Sequence, residues 1–178
     1  MPIINHGIVG AIINAGTFDV GTTGISNTGS IGLISNGGLL SGPVVVDNTG
    51  ALGTIWNSGT FAGNIVNRSM QDLVFAGSGA GFGTLTGYVP GSQGTITNTL
   101  GNVVLASGGI VLNDTVVLGT GTLVNDGASV QLQESVNVVG NYAQGSGTLA
   151  LGMASLLVSG VASITGGLIT SDQLNSTA

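Results

Sequence analysis

The phrase Ile4-Asn5-His6-Gly7-Ile8 and its echoes decide how this chain folds. The echoes are Ile13-Asn14-Ala15-Gly16-Thr17-Phe18, Asn27-Thr28-Gly29-Ser30-Ile31, Asn36-Gly37-Gly38-Leu39, Asn48-Thr49-Gly50-Ala51-Leu52 and Asn57-Ser58-Gly59-Thr60-Phe61. Asn67-Arg68-Ser69 repeats the phrase without its glycine. Every second asparagine falls at 5, 27, 48 and 67, in steps of 22, 21 and 19. The others fall at 14, 36 and 57, in steps of 22 and 21. Two marked points in a period near twenty are the mark of a solenoid, with one coil per period and a corner at each Asn-x-Gly.

The residue types suit corners. Glycine reaches positive φ at little steric cost, and asparagine tolerates the left-handed region better than most residues. Between corners the apolar residues alternate, as in Val44-x-Val46, which predicts strands. Each strand would pair with its equivalent one coil away, at about 4.8 Å. Equivalent asparagines would then stack into side-chain ladders. The structural corners are Asn5, Gly7, Asn14, Gly16, Asn27, Gly29, Asn36, Gly38, Asn48, Gly50, Asn57, Gly59 and Asn67.

Composition agrees. Of 178 residues 34 are Gly, 42% are hydrophobic and only 4% are charged, which excludes charge-rich disorder. Gly lacks the strict three-residue period of collagen. Aromatics at 4% are too few for an ordinary globular core, so layers of Val, Ile and Leu fill a narrow one. Net charge is −6 and Arg68 is the one cation, which argues against a nucleic-acid partner and against anionic lipid. No apolar run approaches the length of a membrane helix. One Trp, two Tyr and four Phe cannot form the aromatic girdles of a membrane barrel, so this segment is expected not to insert in a membrane. Without cysteine the chain makes no disulfide, which fits a protein exported unfolded. Residues 1–5 show no basic region leading into an apolar stretch, so export would use a signal that is removed or lies outside this chain.

Three parts follow in order. Residues 1–67 hold the Asn-x-Gly coils. Residues 68–94 break the rhythm, with Gly77-Ser78-Gly79-Ala80-Gly81 and a Val89-Pro90-Gly91 turn, and read as an irregular connection or loop within one solenoid. Residues 95–178 resume short strands such as Val103-Val104-Leu105 and Val116-Val117-Leu118, and end in a polar tail at 171–177. No window has helical spacing with good helix formers. The predicted class is an all-β solenoid of roughly 19–22 residues per coil.

The last fifty residues carry a longer phrase. It runs Gly140-Asn141-Tyr142-Ala143-Gln144, then Gly147-Thr148-Leu149-Ala150-Leu151, then Leu156-Leu157-Val158-Ser159-Gly160 through Gly166-Gly167-Leu168. This resembles the C-terminal, autochaperone-like part of bacterial autotransporter passenger domains, and the upstream coils resemble the repeats of adhesin passengers. The resemblance implies a right-handed parallel β-helix, exported through the outer membrane and displayed or released outside. It implies adhesion or self-association, with a second copy or a cell-surface glycan or protein as partner. Two departures are visible. Met153-Ala154-Ser155 stand where the family usually has an acid, and the sequence stops at Ala178 without a membrane barrel, so it is expected to be a passenger fragment or a relative that has lost its barrel.

Chemistry is sparse. The acids are Asp19, Asp47, Asp72, Asp114, Asp126, Glu134 and Asp172. A polysaccharide-acting β-helix would gather several in one groove, and Asp19, Asp47 and Asp72 are the candidates for it. Asp114 and Asp126 sit in Asn-Asp turns, where a turn role is the ordinary reading. His6 occupies the variable place of a corner. Arg68 is expected to pair with Asp72, four residues on, or to cover the end of a stack. Trp56, Phe61 and Phe18 read as core fillers, with an exposed row for sugar stacking as the alternative. Thr95-x-Thr97 hints at an ice-binding face, but the Thr residues do not recur at the coil period. The expectation is therefore a non-enzymatic extracellular scaffold, with no catalytic, cofactor-binding or metal-ligating residue assigned. A glycan-acting or glycan-binding solenoid is the alternative.

Overall fold

Eight stacked coils of about 21 residues make up the molecule. The structure is a computed structural model and describes residues 1–172, which include eighteen strands and no α-helix. The coils pair in parallel, each strand with its equivalent one coil away. On the first face one column runs Ile3, Ile25, Val46, Ile65, Ile96, Val116, Val138 and Val158. On the second face Ile12, Ile34, Ile55, Phe75 and Leu105 align. On the third, Phe18, Leu40, Phe61, Leu85 and Leu112 align. These columns meet inside to form the core. Each interior Ile or Leu buried there contributes about 1.5–3 kcal/mol.

The expected asparagine ladders are present. Asn5 Nδ2 donates to Asn27 Oδ1 at 2.7 Å, Asn27 to Asn48 at 2.6 Å, and Asn48 to Asn67 at 2.7 Å. On the second corner Asn14 donates to Asn36 at 2.8 Å, and Asn36 to Asn57 at 2.9 Å. Every link runs the same way, from the earlier coil to the later one. Each amide also serves its own corner: Asn5 Oδ1 takes the Gly7 N–H at 3.1 Å, and Asn48 Nδ2 reaches the Gly50 carbonyl at 2.9 Å. Asn27, Asn36 and Asn48 are wholly buried, so their polar groups must be satisfied internally. The first ladder extends one rung past the Asn-x-Gly phrases, with Asn67 donating to Asn98 at 3.2 Å. Asn98 closes the row by donating to the Asn102 and Gln71 carbonyls. The next place in the column is Leu118, wholly buried.

The corner glycines differ from expectation in their reason. None of Gly7, Gly16, Gly29, Gly38, Gly50 or Gly59 has positive φ, and no asparagine does either. Crowding between coils selects glycine instead. A Cβ on Gly29 would collide with the Gly7 carbonyl oxygen, one on Gly50 with that of Gly29, and one on Gly59 with that of Gly38. Only the first coil is free of this: a Cβ on Gly7 or Gly16 meets nothing.

The stretch 68–94 is a coil with two outgrowths. Strands Leu73–Gly77 and Phe82–Thr86 hold register with their neighbours, Phe75 opposite Leu105 and Leu85 opposite Phe61. Residues 78–81 and 87–94 leave the stack between strands, which stretches the step from Ile65 to Ile96 to 31 residues. The last coil comprises Leu156–Val158, Ala162–Ile164 and Leu168–Thr170. The expected polar tail starts at Ser171, and residues 173–177 of it are outside the described residues.

Two substitution pairs test this account by chemical denaturation. Asn48→Ala strands the Asn27 amide and should cost on the order of 2–3 kcal/mol, whereas Asn14→Ala, at the half-exposed start of its row, should cost about 1 kcal/mol or less. Gly50→Ala should destabilise by more than about 2 kcal/mol, and Gly7→Ala should be nearly neutral. Equal losses within either pair would refute the role given to coil-to-coil contact.

Candidate functional site

The three acids proposed for a catalytic groove do not share one. Asp19 stands on the third face, where its Oδ1 accepts the Ser41 hydroxyl at 2.7 Å. Asp47 stands on the first face, between Ser26 and Val66. Asp72 lies at a corner, its Oδ1 taking the Asn102 N–H at 2.8 Å. Arg68 pairs with Asp47 of the preceding coil rather than with Asp72. In an extended chain a residue four places on lies about 13 Å away, whereas a coil neighbour is about 4.8 Å away. Both partners are partly exposed, so the pair contributes about 1 kcal/mol or less.

His6 bonds its coil equivalent, Nδ1 lying 2.7 Å from Thr28 Oγ1 at an exposed corner. Phe61 is wholly buried and Phe18 packs against the core, as expected. Trp56 instead points outward at 37% exposure, with Ser35 and Ala76 beside it in the column, so no aromatic row forms there. Thr95 and Thr97 pair with Thr115 and Val117, which gives no flat threonine face. Among the described residues no three His, Asp or Glu side chains gather to hold a metal ion. Among the described residues no helix is long and apolar enough to cross a membrane, which leaves strands out of account.

One pair of acids does come together, and sequence reasoning passed over it. Asn113 and Gln133 exchange hydrogen bonds across successive coils, both at 3.1 Å, and so place Asp114 and Glu134 at equivalent points. Their separation of 20 residues is the coil period, a signal that was open to reading. Asp114 is fully buried. Its Oδ1 accepts the Gly94 N–H at 2.9 Å, and its Oδ2 has no partner. Gly94 ends the outgrowth 87–94, and its carbonyl accepts the Thr115 N–H at 3.0 Å. Gln93 Nε2 donates to the Ser135 carbonyl at 2.7 Å. The base of this arm is thus pinned to two coils, with a buried carboxylate beneath it. Burial pushes the Asp114 carboxyl up to about 7; the Gly94 N–H opposes the rise and the Glu134 charge adds to it.

The two ends of the stack form a second feature. Ile31, Ile34 and Leu40 are buried, but their counterparts Val9, Ile12 and Phe18 in the first coil are only partly so. Ile8 and Ile13 are 91% and 74% exposed. In the last coil Ile164 and Leu168 are exposed, and Val158 and Ile169 are half-covered. Among the described residues the core columns therefore run out at both ends, beside strands with unpaired edges. Comparison with known protein families, curated proteins and solved structures finds no match to this chain.

The buried carboxyl sets a pH dependence. Its folded pKa lies above the ordinary 3.8, so the folded state binds the proton more tightly between about pH 4 and 7. Stability should fall as pH rises through that window and level off above it. Asp114→Asn keeps an oxygen for the Gly94 N–H and removes the titration. Denaturation at several pH values should show a flatter profile and a gain on the order of 1–3 kcal/mol above pH 7. An unchanged slope would refute the assignment.

Proposed function

We propose that the protein is a non-enzymatic scaffold that self-associates by end-to-end stacking of its coils, in an extracellular or cell-surface setting. The carrying observation is the pair of open ends. Val9, Ile12 and Phe18 are only partly covered at one end, and Val158, Ile164 and Ile169 at the other, over a core that is buried everywhere between. Exposed strand edges with apolar flanks are templates for pairing with another chain. The two ends are different surfaces, so the contact is heterologous and builds filaments rather than closed dimers. Charged residues are only 4% of the chain, so few like charges oppose a continuous apolar seam. The resemblance to adhesin passengers supports the extracellular setting and the adhesive role.

Sedimentation and negative-stain imaging across a concentration series test the reading. The unmodified chain should form elongated particles whose length grows with concentration. Ile12→Lys should block one end and Ile164→Lys the other, so that each variant alone is monomeric. An equimolar mixture should stop at dimers, through the one unblocked junction. A chain that stays monomeric throughout, or variants that still form filaments, would overturn the proposal.

A further inference from the structure

The arm that rises at residue 87 creates a hollow on the third face, away from both ends. Asp19, Ser41, Ala62 and Thr86 form one column there across four successive coils. At about 4.8 Å per coil the column spans about 14 Å. Phe18, Leu40, Phe61 and Leu85 alternate with it and point into the core, so this column faces outward. Ser41 and Ala62 are nevertheless only 7% and 9% exposed. Their cover is the arm, whose Tyr88, Val89 and Pro90 line the same hollow, together with Leu39. The hollow measures about 560 Å³, within the range of small-ligand clefts.

Its chemistry is specific. One wall is apolar and includes the ring of Tyr88, itself 41% exposed. The floor carries an exposed carboxylate, Asp19, and the hydroxyls of Ser41 and Thr86. No cation lines it, and Arg68, the one cation of the chain, is engaged with Asp47 on the first face. The strand backbone of this face is paired coil to coil, so a peptide cannot add to it as a further strand. A ligand with an apolar face for an aromatic ring, hydroxyls for a carboxylate, and no negative charge is an uncharged sugar chain. We propose that the hollow between the 87–90 arm and the Asp19–Thr86 column binds a neutral oligosaccharide. Tyr88 supplies the stacking surface, and Asp19 accepts hydrogen bonds from sugar hydroxyls.

The test uses the full chain with hexasaccharides of glucose, mannose, xylose and N-acetylglucosamine, and oligogalacturonate as the charged counterpart. Calorimetry gives affinity, and amide chemical shifts give location. At least one neutral probe should bind, with shifts at Asp19, Ser41, Thr86 and residues 87–90. Tyr88→Ala should weaken binding about tenfold, Tyr88→Phe should stay within about twofold, and Asp19→Asn should weaken it about threefold or more. Ile164→Lys should bind as the unmodified chain does, which separates this site from the stacking ends. The proposal fails if no neutral probe binds at about 10 mM. It also fails if Tyr88→Ala binds unchanged, or if oligogalacturonate binds as tightly as the neutral probes.

Discussion

A side-chain amide carries a donor and an acceptor on one carbon, and the early coils depend on that pairing. Each buried asparagine accepts from the coil before and donates to the coil after, so the row satisfies itself wherever it is continued. A carboxylate, which only accepts, could not chain in this way without a partner group of another kind. The row also fixes register. A one-residue slip would strand several buried amides together, and each such group costs about 1–3 kcal/mol. The intervals of 22, 21 and 19 residues between rungs are therefore free to vary while the rungs stay aligned. Length is absorbed between anchors and never at them.

Later coils solve the corner differently. Leu118 takes the place that Asn98 holds one coil earlier, and the first-corner row ends there. On the second face the change runs the other way. The apolar column Ile34, Ile55, Phe75 and Leu105 passes into Asn125 and Gln144, both buried. Asn125 bonds the Ala128 N–H at 3.0 Å and the Thr148 carbonyl at 3.1 Å. Gln144 accepts the Tyr142 hydroxyl at 2.6 Å and reaches the Leu168 carbonyl at 3.2 Å. Tyr142 thus brings its own bonding partner into the core, which is what lets so polar a ring be buried. The phrase that resembles an autochaperone segment is, in this structure, the sequence of the last two coils.

The period was legible because both corners use the same residue, and the spacing of Asn5, Asn27 and Asn48 is nearly constant. Asn98 escaped notice because two outgrowths stretch its interval to 31 residues while its place in the column is unchanged. The glycines were found for the wrong reason. Backbone dihedrals belong to one residue and can be guessed from its type, but the carbonyl that excludes a Cβ at Gly50 comes from Gly29, a coil away. Arg68 and Asp114 teach the same lesson. In a solenoid the nearest neighbour in space lies one period off, so Asp47 and Glu134 were the residues to examine first. The hollow beside Tyr88 was not legible at all, since nothing local says which way an arm of eight residues turns.

The coil between Ile65 and Ile96 has one more consequence. It carries both outgrowths, yet the strands on either side keep the alignment of their neighbours. Loop closure grows costlier only slowly with length, and the scaffold beneath absorbs it with one local register shift between Leu105 and Ser107. Such a position is a natural insertion point: foreign segments spliced between Gly77 and Phe82 would be carried outward without disturbing the winding. The same arrangement lets descendants of this sequence change what they present to their surroundings while leaving the rod itself untouched.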